Sequence, residues 1–291
     1  MKKLIVLLLA FVPGLLYAQN FSLDGSYMPD LYSALEDFTI KGNTVEVQYK
    51  MTDDVQKIRF SRFYKSGLLY LKLSESIQID LEEPASGKSG KGENLREILV
   101  LAGKEIVPNE NVNSIIFFGE NVEFDDESPF ISNSTKFSDS LQRNYYDCSS
   151  FLSENNKDYD VENLSNPKAG TPWVEGVKGS GIGEGFTIKG DENSYLLIMN
   201  GYSSCEKPYL YKQNNRIKKI KVTGLKSGKS EILSVLDTPH PQTVDISFLT
   251  AGEDIRVEVA EVYKGTKYDD TCVNLLVTYP RKVIPYEDKV K

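Results

Sequence analysis

The carboxy-terminal half of this chain alternates apolar and polar residues with a period of two, and that rhythm limits what it can fold into more than any other feature. Val244, Ile246 and Phe248 alternate with Thr243, Asp245 and Ser247. Ile255, Val257 and Val259 alternate with Arg256, Glu258 and Ala260, and Val273, Leu275, Val277 and Tyr279 repeat the pattern. A β-strand turns successive side chains to opposite faces, so such segments bury one face and wet the other. Together with residues 195–199, 217–222 and 232–236 they give about seven or eight short strands with turn residues between them. That is the signature of an antiparallel β-sandwich of jelly-roll type.

The amino-terminal half is also read as β. Residues 38–40, the Lys41-Gly42-Asn43 turn, and then Val45, Val47 and Tyr49 form a hairpin pattern. Further runs occupy 57–60, 68–73, 77–81, 98–101 and 115–118, and helix signals are weak throughout. A glycine- and serine-rich stretch over 84–92 is expected to be an exposed loop. The expected organisation is all-β: a leader over 1–18, a small antiparallel β domain over 19–124, an acidic and polar linker over 125–146, a β-sandwich over 147–283, and a tail over 284–291. Asp125, Asp126 and Glu127 are read as solvated loop charge rather than a cation site.

The leader carries Lys2 and Lys3, an apolar run from Leu4 to Val12, a Pro13-Gly14 break and the small residue Ala18. This is a secretory signal pattern, too short in its apolar part to span a bilayer, so a secreted or periplasmic protein is expected. The formal charge of the chain is −8, and removing Lys2 and Lys3 makes it more negative, which disfavours nucleic acid as a partner. The densest basic stretch, Arg216 to Lys221, alternates with apolar residues and is read as the wet face of a strand.

Cys148, Cys205 and Cys272 lie far apart, and their spacing leaves one disulfide and a free thiol open, with three choices of bridge. No Cys-x-x-Cys pair is present, and the single histidine, His240, sits between Pro239 and Pro241, where it is expected to be an exposed turn residue. With one imidazole in the chain, Ser-His-Asp and Cys-His nucleophile activation have only one position that could serve them.

Glycines 179, 181, 183 and 185 form a ladder without the third glycine of a dinucleotide fingerprint and without a following helix or a Walker lysine, so phosphate cradling is disfavoured. The ordered motifs Ser149-Ser150-Phe151-Leu152, Trp173-Val174-Glu175-Gly176, Gly181-Ile182-Gly183-Glu184, Asn200-Gly201-Tyr202, Asn215-Arg216-Ile217-Lys218, Leu236-Asp237, Val262-Tyr263-Lys264-Gly265 and Tyr268-Asp269-Asp270-Thr271 resemble the NADase-type glycan-binding domain, a discoidin-like relative of galactose-binding jelly rolls. The resemblance covers about residues 147–283. It implies a non-catalytic carbohydrate-binding sandwich of bacterial origin, with a glycan or glycoconjugate as partner, an envelope or cell-surface protein as a further one, and no NAD hydrolysis. Discoidin-like domains often place an Asp-Gly-containing turn before the tryptophan, where it helps to hold calcium. Residues 164–171 contain no aspartate here, so no cofactor is expected and calcium at this turn is disfavoured.

Sugar recognition pairs an aromatic face with amide, carboxylate or guanidinium groups for the hydroxyls. The candidate glycan-binding residues are therefore Trp173, Glu175, Glu184, Asn200, Tyr202, Tyr209, Tyr211, Asn214, Asn215 and Arg216, with no catalytic and no metal residue. Each has a plainer alternative: Trp173 as a core anchor, the Tyr- and Asn-rich loop as a bridge between sheets, Glu175 and Glu184 as pins for glycine-rich backbone. Two other functions stand beside glycan binding. One is a hydrolase using a carboxylate pair such as Glu120 and Glu123; the other is an adhesion module that binds protein through sheet edges.

Overall fold

A computed structural model describes residues 22–29, 34–79, 94–107, 110–119, 131–132, 145–165, 169–192 and 194–287. The leader, the 84–92 loop, Glu120, Glu123 and the Asp125–Glu127 acids fall outside these residues.

The first unit is a meander. Strands β1 (Gly25–Pro29), β2 (Leu35–Lys41), β3 (Thr44–Tyr49), β4 (Val55–Lys65), β5 (Leu68–Gln78), β6 (Asn94–Val107), β7 (Glu110–Gly119) and β8 (Ile131–Ser132) each pair antiparallel with the next. β8 then returns to β1 through Met28↔Ser132 and Pro29↔Ile131, which closes the sheet into an eight-stranded up-and-down barrel. The expected linker is thus partly strand: Ile131 and Ser132 complete the barrel, because a closed ring leaves no unpaired edge. Tyr27, Phe38, Val45, Val47, Ile58, Phe60, Leu69, Leu71, Val100 and Phe117 fill the interior. The run read over 68–73 and the first two residues of the run read over 77–81 share the single strand β5, with an irregularity between Lys72 and Ile77.

The second unit contains β9 (Tyr145–Cys148), the hairpin β10 (Leu152–Glu154) and β11 (Lys157–Tyr159), β12 (Trp173–Val174), β13 (Gly185–Ile188), β14 (Tyr195–Asn200), β15 (Asn215–Gly224), β16 (Ser230–Ser234), β17 (Gln242–Asp245), β18 (Ile255–Tyr263) and β19 (Thr271–Tyr279). Its sheet runs β17-β14-β19-β15-β18-β13-β9, with β12 on β19 and β16 on β15. β15 and β19 meet in parallel over only two residue pairs, Asn215↔Thr271 and Arg216↔Cys272. There the sheet curls over, so that β14 and β19 face β15, β18 and β13 across a shared core of Trp173, Phe186, Leu196, Ile198, Ile220, Val257 and Val273. This all-β jelly-roll sandwich is the fold the alternation predicts.

The two units are welded together. β5 and β6 carry Leu69, Leu71, Ile98 and Val100 into the barrel, and Leu68, Tyr70, Leu99 and Leu101 outward against the sandwich. Across this seam stand Leu197, Met199, Leu275, Val277 and Tyr279, the outer faces of β14 and β19. Strands buried on both faces read as continuous apolar runs rather than alternation, which explains Leu68-Leu69-Tyr70-Leu71 and Ile98-Leu99-Val100-Leu101. The segment expected to end in a tail instead forms β20 (Lys282–Pro285), which adds to β6 of the barrel with Val283 buried in the seam.

His240 also lies in this seam, buried at 4% exposure rather than exposed. Its Nδ1 accepts the Ala102 N–H at 3.2 Å, its ring meets Tyr286 edge-on at 5.5 Å, and the neighbouring Pro241 carbonyl comes so close to Gly103 that a Cβ there would lie 2.9 Å from it. The prolines that made a solvent turn plausible press this loop onto the barrel. All three cysteines are free thiols, Cys205 and Cys272 buried and Cys148 half-buried, so no bridge forms.

Candidate functional site

One end of the sandwich gathers the start of β19, the start of β15, the ends of β14 and β18, and the glycine loop before β13. The barrel divides this end into a covered half and an open half.

The covered half is the Tyr- and Asn-rich loop. Residues 203–209 lead into a single helical turn, α1 (Leu210–Gln213), and Tyr211 is buried in the seam beside Tyr70, whose hydroxyl reaches the Ser204 and Cys205 carbonyls. Gly67, in the β4–β5 turn of the barrel, lies so close that a Cβ there would stand 2.8 Å from Lys212 Cε. Arg216 is buried beneath this loop. It donates from Nε to Asp237 Oδ1 at 2.7 Å, from Nη2 to Oδ2 at 3.1 Å and from Nη1 to the Asn214 carbonyl at 2.9 Å, while its guanidinium lies 5.4 Å from the Tyr211 ring centroid. Burial alone pushes the Asp237 carboxyl up, but the Arg216 hydrogen bonds and charge outweigh it and hold the group below the usual range.

Six of the expected ligand residues make structural contacts here. Asn200 exchanges hydrogen bonds with the Ile217 backbone, accepting at 2.9 Å and donating at 2.7 Å, and bridges β14 to β15 where the sheet turns. Asn214 donates to the Leu210 carbonyl and closes α1. Asn215 accepts from Gly265 N–H and donates to the Asp269 carbonyl, fixing the 264–270 loop. Tyr211 and Arg216 are occupied as described, and Tyr202 donates to the Gly170 carbonyl at 3.2 Å. Of the expected aromatic set, Tyr209 stays open to solvent at 46% exposure.

Trp173 is likewise no sugar platform, because it is fully buried and stands edge-on to Phe186 at 4.8 Å. Its Nε1 donates to the Ser150 carbonyl at 3.0 Å, which sets Phe151 on the outside of the sandwich at 41% exposure. Trp173→Phe removes that donor and is expected to cost about 1–3 kcal/mol, read as a lower midpoint in urea unfolding.

The open half is built around Glu175. The residue is fully buried, its Oε2 accepts the Val177 N–H at 2.8 Å, and its Oε1 has no hydrogen-bond partner among the described residues. The glycine loop folds directly over it: Gly181, at φ +61°, has room for no Cβ, which would meet Glu175 Cγ at 2.5 Å. Burial pushes the Glu175 carboxyl up, and the neighbouring Asp270 and Glu184 charges push it the same way. Asp270 is raised by its own burial and by Glu154 and Asp269. Glu184 is instead held low by the Ser149 and Ser150 hydroxyls. Around these acceptors stand Phe151, Val177 and Ile182, all exposed. Phe151 and Asp270 were not among the expected binding residues; the Ser149–Leu152 motif carries the only sequence signal for the first.

The turn before Trp173, where calcium is disfavoured by sequence, has a carbonyl that is already engaged. Sequence places no carboxylate in 164–171, and the Gly170 carbonyl already accepts from Lys157 Nζ at 3.0 Å and from Tyr202.

Fold and open loop end together define a jelly-roll binding module with no catalytic constellation in its described residues. Residues 137–278 match the NAD glycohydrolase translocation F5/8 type C domain, a discoidin-like family. No curated protein is similar enough to the chain to match it. A domain of this kind is a module for binding carbohydrate or protein and is not catalytic.

Proposed function

We propose that this chain is an exported, non-catalytic carbohydrate-binding protein that takes its glycan at the open loop end of the sandwich. One observation carries the reading. Phe151 stands exposed beside a rim of acceptors, Glu184, Asp270 and the glycine-loop backbone, over the buried Glu175 whose Oε1 is unpaired among the described residues. An apolar ring face bounded by oriented acceptors is what a saccharide needs, because its C–H face stacks and its hydroxyls donate. The barrel supports this reading by burying the competing loop, so ligand binding is confined to the half that it leaves free.

The leader supports export, to the periplasm or beyond. The barrel's role is to hold the sandwich and to cover its aromatic loop. No catalysis is assigned to it.

Glycan-array screening followed by calorimetry on the whole protein tests the assignment. Phe151→Ala and Asp270→Asn are each expected to weaken saccharide binding tenfold or more, about 1.4 kcal/mol, with the melting temperature unchanged. Failure of any saccharide to bind at millimolar concentration removes the assignment. A protein partner is the second reading, favoured by β16, which pairs only with β15 among the described residues and carries the exposed Ile232. Pull-down that a bound saccharide does not compete would support it.

A further inference from the structure

We propose that Lys157 is a built-in cation at the turn before Trp173, so that this sandwich is held there by an ammonium and not by calcium.

The β10–β11 hairpin turns through Asn155 and Asn156, both in the left-handed region at φ +51° and +61°. That tight reversal brings Lys157 back over the 169–171 segment, where its Nζ donates to the Gly170 carbonyl at 3.0 Å. Gly170 has φ +74°, and its N–H donates to the Ser203 carbonyl at 2.6 Å, so the residue is held at both its N–H and its carbonyl. The Tyr202 hydroxyl donates to the same Gly170 carbonyl at 3.2 Å. The ammonium also lies 5.2 Å from the Tyr159 ring centroid, and Tyr159 and Tyr202 tilt against each other at 6.1 Å. One carbonyl and one aromatic face suit an ammonium, which needs acceptors and a negative π surface but no fixed coordination number.

A hard divalent ion needs something else. Calcium takes six to eight oxygens, carboxylates among them. Among the described residues the Thr171 and Ser203 hydroxyls stand at the turn, both buried and without a hydrogen-bond partner there. Residues 164–171 contain no carboxylate in sequence, and a divalent ion placed at the Gly170 carbonyl would be repelled by the ammonium already there. The hairpin therefore delivers a permanent positive charge to the Gly170 carbonyl. The inference is independent of which ligand the open loop end binds.

Thermal melting of the full chain, in millimolar calcium chloride and in excess EDTA, tests it. The expected result is one melting temperature in both solutions. Lys157→Met, which keeps most of the aliphatic stem, is expected to lower that temperature by about 3–6 °C in both, and Lys157→Arg, which keeps a cation, to stay within about 2 °C of the original protein. A melting temperature that rises with calcium or falls with EDTA would overturn the proposal. So would Lys157→Met melting like the unaltered protein, or Lys157→Arg falling as far as Lys157→Met.

Discussion

Lowering the pH from 7 to 5 is expected to cost this protein about 2 kcal/mol through one imidazole, His240. Burial, with no compensating carboxylate, lowers its pKa from 6.5 to about 3. The unfolded chain takes up the proton first, so stability is fully present above pH 6.5, falls as the pH drops through that value, and reaches its greatest loss below about 3. Geometry gives the same direction. Nδ1 accepts the Ala102 N–H, so a proton there would set donor against donor, and Arg62 donates at 2.8 Å to the hydroxyl of Tyr286, the ring that meets the imidazole edge-on. Glu105, the buried carboxylate on β6, is already engaged by Tyr279 and Arg281.

Because the chain has a single histidine, a loss in this window belongs to one residue once the carboxylates are subtracted. Glu175 and Asp270 act with opposite sign, since carboxyls raised by folding give back stability as the pH falls toward their folded values. Urea unfolding at pH 7 and 5, on the protein and on His240→Gln, separates the contributions. The loss is expected to be about 2 kcal/mol smaller in His240→Gln, and an equal loss in both proteins would show that the imidazole does not carry it. The barrel and the sandwich should fail together in this experiment, because His240, β20 and the apolar seam tie them.

What the sequence revealed and concealed follows from the range of the interactions involved. Alternation is local, so the sandwich strands over 242–245, 255–263 and 271–279 could be read directly, and the Lys41–Asn43 turn fixed the first hairpin. Barrel closure was not legible, because it depends on the two-residue strand β8 meeting β1 about a hundred residues away in sequence. The seam left a signal that was open to two meanings. Doubly apolar runs at 68–71 and 98–101 say that both faces are buried, but not against what.

The structural role of part of the candidate set was hidden for the same reason. Tyr211, Asn214, Asn215 and Arg216 have the residue types that a sugar site needs, and those same types serve to satisfy buried backbone at a sheet's turning point. Composition cannot distinguish the two uses; only the presence of the barrel over the loop decides. Trp173 shows the converse. Its indole is a core anchor, yet through Ser150 it positions Phe151, the aromatic residue that solvent reaches.

Arg216 and Asp237 hold that covered loop in place, and breaking their pair should be the most damaging single polar change in the sandwich. Asp237→Ala leaves a guanidinium that is 6% exposed with only the Tyr211 and Asn214 carbonyls as acceptors, and a buried charge deprived of its partner typically costs about 3–5 kcal/mol. Asp237 is itself about one-third exposed, so the lower value, about 3 kcal/mol, is expected, with a fall in melting temperature of about 6–12 °C. Its folded carboxyl is held low, so this contribution is present above the unfolded carboxylate pKa and fades as the pH falls toward the folded one. Combining Asp237→Ala with Arg216→Met should cost less than the two changes added, since the stranded charge is gone, though the two carbonyls remain in want of a donor. Strict additivity in that double-mutant cycle would mean the two groups do not act as a pair. Tyr211 gives a second readout: its ring packs against the guanidinium and the seam at once, so loosening of α1 should appear as faster amide exchange over residues 210–216 while the strands of the barrel stay protected.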